Sequence, residues 1–359
     1  MKQPGLGVVA TILVMAIALG FVSLFSFPMF AGWVAYFLLC VIPIQIVMAV
    51  TWGTEQPRTA AKTPQPIRGI MLTLFSLVIG LVVAILALRF VGAAVTPPAP
   101  ILAHWVIVSV PVMFWAAIMF GGWPFTKLIK NPLLAGLTML VACYVVNGIL
   151  FRIFFNYEFM QGAPVYVASI DPHGIFNGWS ALVFYVTALA GMFFIICFDL
   201  WPFTTMPALM QQPVLGLVWT IGALLLGAIA FYVGINVMHM DVVAFLVAVP
   251  VPFIFGSIVV LNMLQNSLFG KMAQPVKGIA NVVAVVVIGT VLSKVYGALA
   301  PTVSGTLNAG PPGYDFEIWL ASALLSVTFP FLIFFAEFFK YWPLTGARAP
   351  QAAPASAVR

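Results

Sequence analysis

Gln65-Pro66-Ile67-Arg68-Gly69 opens a stretch that continues Ile70-Met71-Leu72-Thr73-Leu74-Phe75-Ser76-Leu77-Val78-Ile79-Gly80-Leu81-Val82-Val83-Ala84-Ile85-Leu86-Ala87-Leu88 before the next charge, Arg89. A helix needs roughly 20 apolar residues to cross the hydrocarbon of a bilayer, and this run supplies them. It does not alternate apolar with polar residues, as a strand of an outer-membrane barrel does. In lipid the backbone polar groups must pair within the segment, so the stretch reads as one spanning α-helix. Pro66 suits its first turn, where the missing N–H has no partner to lose and the fixed φ is already helical.

The opening motif recurs. It reads Gln3-Pro4-Gly5-Leu6-Gly7, Asn131-Pro132-Leu133-Leu134-Ala135-Gly136, Gln212-Pro213-Val214-Leu215-Gly216 and Gln274-Pro275-Val276-Lys277-Gly278. The five copies are separated by about 60 to 80 residues, a fixed period of the kind that marks a repeat architecture. A second motif closes each interval: Trp52-Gly53-Thr54, Trp123-Pro124-Phe125-Thr126, Trp201-Pro202-Phe203-Thr204 and Trp342-Pro343-Leu344-Thr345, with Asn266-Ser267-Leu268-Phe269 in the fourth place. Tryptophan favours the membrane–water interface and proline stops a helix.

Between each opening and closing motif there is room for two spans. The sequence therefore predicts an all-α polytopic membrane protein of about ten transmembrane helices, arranged as five tandem parallel helical-hairpin repeats. The repeats cover residues 3–54, 65–126, 131–204, 212–269 and 274–345. The spans are expected at 4–27, 30–52, 66–92, 101–122, 132–154, 177–200, 213–237, 241–264, 275–297 and 316–341. Residues 1–345 form one transmembrane domain, and 346–359, rich in Ala and Pro, read as a disordered cytoplasmic tail. The apolar run from Val8 to Phe27 is longer than the core of a signal peptide and begins with the repeat motif, so it reads as the first span.

Composition agrees. The chain is 64% hydrophobic and 6% charged, where a soluble domain carries about 25% charged residues. Its net charge of +6 is spread between spans and gives no nucleic-acid signature. All of the 14 basic residues except Arg89, Arg152 and Lys294 fall on the side holding the odd span starts and the even span ends. Lys and Arg stay cytoplasmic, so both termini are expected inside a cell (inner) membrane. Glu158, Asp171, Asp241, Asp315 and Glu317 fall on the other side. Cys40, Cys143 and Cys197 lie in apolar runs with no metal-binding spacing.

Charges within spans are costly and mark functional candidates. Glu337 and Asp199, near the ends of returning spans, are candidates for a substrate or ion path, together with Asn262 and Gln45. Lys340 stands one turn after Glu337, so a plain i,i+3 ion pair also accounts for that acid. Arg89, Arg152 and Lys294 lie roughly 30 Å along their helices from the unit prolines. They either snorkel to the outer interface or form a ring of cations at an outer vestibule. His104, His173 and His239, the last flanked by Met238 and Met240, all map to the outer side. Imidazole and thioether suit copper, but no two histidines share a short ligand spacing, and the sequence requires no cofactor.

No catalytic signature occurs: there is no Gly-x-Ser-x-Gly, His-Glu-x-x-His, phosphate-binding loop or dinucleotide fingerprint. The expected function is a transporter or permeation protein for a small solute, gradient-driven or passive and not driven by ATP. The alternatives are a membrane-embedded metal or redox subunit or enzyme using the outer histidines, or a non-catalytic scaffold or assembly partner. The bilayer is the expected partner, with a homo-oligomer or another membrane complex as further candidates. A transporter predicts that polar positions of several units converge on a central cavity; a scaffold predicts a packed bundle.

Overall fold

The computed structural model describes residues 1–345, and the tail at 346–359 lies outside the described residues. Among the described residues, ten helices are long and apolar enough to cross a membrane: α1 (Gly5–Val22), α2 (Phe27–Thr51), α3 (Ile67–Phe90), α4 (Pro100–Met119), α5 (Pro132–Phe154), α6 (Gly178–Cys197), α7 (Val214–Val237), α8 (Val242–Met263), α9 (Val276–Ser304) and α10 (Asp315–Phe338). The α9 helix continues beyond its expected end at 297, with Pro301 in its last turn. A short parallel pairing of β1 (Phe155–Asn156) with β2 (Phe176–Asn177) ties the loop between α5 and α6 to itself.

The helices form two layers. In the apolar core of each span, 56–72% of residues are buried in the even helices and 22–44% in the odd ones. The even helices touch in a closed cycle, α2 on α4, α4 on α6, α6 on α8, α8 on α10 and α10 back on α2. The odd helices lie outside this ring and expose apolar side chains such as Leu74, Val78 and Ile85 of α3, as a lipid-facing surface requires.

Each outer helix packs in the groove between two inner ones. Its main partner is the even helix just before it in the chain. Tyr36 of α2 donates to Ala84 O of α3 at 2.6 Å, and Asn147 of α5 donates to Trp105 O of α4 at 2.9 Å. Between α6 and α7, Gly227 faces Ala188 with no room for a side chain; between α8 and α9, Gly289 faces Pro252 in the same way. The small-residue face of α7 is thus a close helix contact. The α1 helix has no predecessor among the described residues and lies on α10, with Phe21 and Phe331 ring centroids 5.4 Å apart. The two helices of one expected hairpin, such as α3 and α4, are therefore not the principal packed pair in space.

The second partner of each outer helix explains the Gln-Pro-x-x-Gly motif. A helix leaves its first N–H and last C=O groups without partners. Gln65 accepts from Gly69 N at 3.2 Å at the start of α3, while its amide donates to Phe338 O, the last carbonyl of α10, at 2.7 Å. Gln3 bridges Gly7 N and Met263 O of α8 in the same manner, and Gln212 bridges Gly216 N and Met119 O of α4. Gln274 accepts from Gly278 N and donates to Asp199. At the third start Asn131 caps Leu133 and Leu134, and Trp52 donates to Pro132 O at 2.8 Å. The glycine is needed because a ring or backbone sits where its Cβ would be: Met263 at Gly7, Phe339 at Gly69, Trp52 at Gly136, Phe120 at Gly216 and Phe198 at Gly278.

All five inner helices end in two consecutive left-handed residues: Gly53-Thr54, Gly121-Gly122, Asp199-Leu200, Gln265-Asn266 and Lys340-Tyr341. In four of them a π-turn precedes the pair, at Val47–Thr51, Trp115–Met119, Val259–Met263 and Phe334–Phe338; α6 ends without one. Trp123, Trp201 and Trp342 follow the left-handed pair, whereas Trp52 precedes it, in the place of Phe120, Phe198 and Phe339.

Candidate functional site

The five inner helices line a cavity of about 50 Å³. Every inner helix lines it, with Ile42, Val110, Leu189, Ile254 and Phe329 as one contributor each, so it lies on the central axis of the ring. Its lining is apolar throughout. Four hydroxyls buried in the inner helices are turned back on their own backbones: Ser109 on Val106 O, Thr187 on Val183 O, Ser257 on Phe253 O and Thr328 on Ala323 O.

Toward the end where the inner helices terminate, polar side chains gather between α8 and α10. Asn262 donates to Glu337 Oε1 at 2.8 Å, and Lys340 Nζ donates to Glu337 Oε2 at 3.0 Å. Tyr341 donates to Met263 O at 3.0 Å, the same carbonyl that Gln3 reaches at 3.1 Å. Glu337 and Lys340 are each about a quarter exposed, so the pair meets water and contributes little net energy. Asn262 Oδ1 is buried without a partner. Gln45 is fully buried one turn past Ile42 and donates to Pro330 O at 3.2 Å, joining α2 to α10, with its Oε1 unpaired.

Asp199 lies beyond the end of α6, within the left-handed pair, and is partly exposed. It accepts from Asn266 at 3.1 Å, Gln274 at 2.8 Å and Lys277 at 2.7 Å. Aspartate tolerates this backbone conformation, so the residue works as a helix cap and a tie to the start of α9.

At the opposite end, aromatic and acidic side chains cover the ring. His104 is buried, with Nδ1 2.9 Å from the Tyr157 hydroxyl and its ring centroid 4.5 Å from that of Trp179. Trp179 in turn lies 6.3 Å from Tyr314, which donates to Asp241 at 2.8 Å. These contacts draw together α4, α6 and the starts of α8 and α10. The loop between α5 and α6 folds on Asp171, which accepts from Tyr157 N at 3.2 Å, His173 N at 3.0 Å and the Tyr166 hydroxyl at 3.0 Å. Burial raises the Tyr157 hydroxyl above its usual range and the Asp171 charge adds to the effect. Tyr314 is pushed up to about 12, first by burial and then by its bond to Asp241.

The three histidines occupy different settings. His104 is packed as described, His173 is half-exposed with Nδ1 3.2 Å from Glu158, and His239 is exposed in the turn between α7 and α8 with Met238 beside it and Met240 half-buried. Among the described residues no group of three or more His, Cys, Asp or Glu stands close enough to hold a metal ion. Arg89, Arg152 and Lys294 are exposed on three different outer helices, α3, α5 and α9.

Sequence reading missed the axial residues, because an apolar side chain facing the axis looks like one facing lipid. It also missed the capping role of the four glutamines, although the Gln-to-Gly spacing of one helical turn carried that signal. Compared with known protein families, curated proteins and solved structures, the chain matches none.

Proposed function

We propose that the protein is a five-unit permeation protein of the cell (inner) membrane whose path is the axis of the inner ring, closed in this conformation by apolar side chains. The observation that carries this reading is the cavity to which every inner helix contributes. A bundle evolved only to pack has no need of a void shared by all its members, since a void forfeits contact energy.

Five tandem parallel units account for the recurring geometry. Ile42, Val110, Ile254 and Phe329 each stand twelve residues before the second left-handed residue of their helix; Leu189 stands eleven before Leu200, in the helix without a π-turn. In four units the start of the outer helix donates to an end carbonyl of the inner helix two units back; at the third start the bond runs the other way, from Trp52 of α2 to Pro132 O, and the relation closes on itself around the ring. The basic residues Lys2, Arg58, Lys62, Lys127, Lys130 and Lys271 cluster in sequence at the end holding the Gln-Pro starts, which supports placing that end, with both termini, in the cytoplasm.

The test is flux in proteoliposomes. Leu189→Ser and Ile254→Asn put polar groups on the axis and should wet it, raising leak of small solutes at least tenfold over wild type. Folded variants that stay tight would sink the axial reading and leave a packed scaffold. That second reading has its own support: a groove of about 750 Å³ between α1 and α3, lined by Phe21, Trp33, Phe37, Leu81, Phe331 and Phe335, is open to the membrane.

A further inference from the structure

We infer that the axis admits a small, uncharged, weakly hydrated molecule, of the size and polarity of a dissolved gas, and rejects ions and protons. The inference rests on the axial reading given above and names its permeant class.

Three observations carry it. The cavity is about 50 Å³ and lined by apolar side chains from all five inner helices. Water occupies about 30 Å³ of liquid and needs two to four polar partners to sit in a protein cavity, so a void with none stays dry and takes apolar guests instead. Second, most of the polar groups nearest in sequence are already engaged. Ser109, Thr187, Ser257 and Thr328 bond their own backbones, and Gln45 donates to Pro330 O, with its Oε1 unpaired. Among the described residues that line the cavity, no ring of carbonyls or charges replaces a hydration shell, which is what an ion-selective constriction requires. Third, the charges that could draw an ion are elsewhere. Arg89, Arg152 and Lys294 are exposed on the outer helices, and Glu337 is held by Lys340 and Asn262. An ion entering the axis would lose its water and gain no ligand, at a cost far above thermal energy.

The constriction thus sorts by hydration. A molecule with little to lose on leaving water can occupy the cavity as it stands, with no opening of the ring. An ion or a strongly hydrogen-bonded solute cannot.

Two measurements on the full-length protein test this. Xenon, added under pressure to the detergent-solubilised protein, is followed by its own magnetic resonance. One bound xenon per chain is expected, lost in Val110→Phe, which fills the cavity; should that variant fail to fold, Val186→Ile, which adds one carbon to the lining, should weaken binding several-fold. Absence of xenon from wild type would overturn the inference. In parallel, carbon dioxide entry, potassium leak and proton leak are measured in proteoliposomes of low intrinsic gas permeability. Carbon dioxide entry at least twofold faster than in protein-free vesicles is expected, reduced to background by the filling variant, with ion and proton leak unchanged from protein-free vesicles. Potassium or proton conduction by wild type would overturn the permeant class while keeping the axial path. Failure of Leu189→Ser and Ile254→Asn to leak any solute would instead remove the path itself.

Discussion

Gly5 and Gly216 both lie in the first turn of an outer helix, yet they answer to different neighbours. A Cβ at Gly216 would collide with the Phe120 ring, whereas nothing lies within 4 Å of one at Gly5. Overpacking a filled site costs about 1–3 kcal/mol. Gly216→Ala should therefore lower the thermal midpoint in detergent by several degrees, while Gly5→Ala should change stability by less than about 0.5 kcal/mol. Equal effects at the two positions would mean that the motif glycine is there for helix geometry alone. Tyr314 makes a second residue-level test. Its pKa rises from 10.0 to about 12, so the folded state holds the proton more tightly than the unfolded one. The bond to Asp241 contributes in full below pH 10.0 and is lost as pH climbs to about 12. The tyrosinate absorbance of wild type minus Tyr314→Phe should titrate near the upper value; titration near 10 would show that Tyr314 is not held by Asp241.

At the scale of the element, α10 carries Glu337, one of the two acids that the sequence offers for a substrate or ion path. The Glu337 carboxylate is shared between Asn262 and Lys340 and partly solvated. Glu337→Gln should cost no more than about 1 kcal/mol and leave any axial flux within twofold of wild type. Abolition of flux would make Glu337 part of the path. The number of spans was legible because lipid demands long apolar runs, and their ends were legible because Pro and Trp mark the interface. Which face of each helix turns inward was not, since α2 and α3 are both apolar all round. The partners were hidden for a related reason. Sequence adjacency suggests that α3 pairs with α4 across the outer loop, but Tyr36 and Val41 of α2 meet α3 instead. Trp52 misled in register: it resembles the interfacial Trp123, yet it occupies the place of Phe120, which is set by the left-handed pair that follows. Asp199 is expected within a span running to 200, whereas α6 ends at Cys197 and the residue stands in the left-handed pair that follows.

Over the whole molecule, the ring has a seam. Gln3 and Tyr341 donate to one carbonyl, that of Met263, at 3.1 and 3.0 Å, so the start of α1 and the end of α10 lie side by side. Joining the tail to Met1 by a short flexible linker and opening the chain between Lys62 and Gln65 should give a protein with the same thermal midpoint within a few degrees. Failure of this circular permutant to fold would argue that the seam differs from the other four junctions. The seam also sets a timetable. A ribosome makes α1 well before α8 and α10, the helices that hold it. Each later outer helix leaves the translocon with its principal inner neighbour already in the bilayer, whereas α1 must wait in lipid until α8 and α10 have followed it. Premature termination anywhere before α8 would leave α1 with neither of its resting places, which makes the first helix the natural place for quality control to recognise an unfinished molecule.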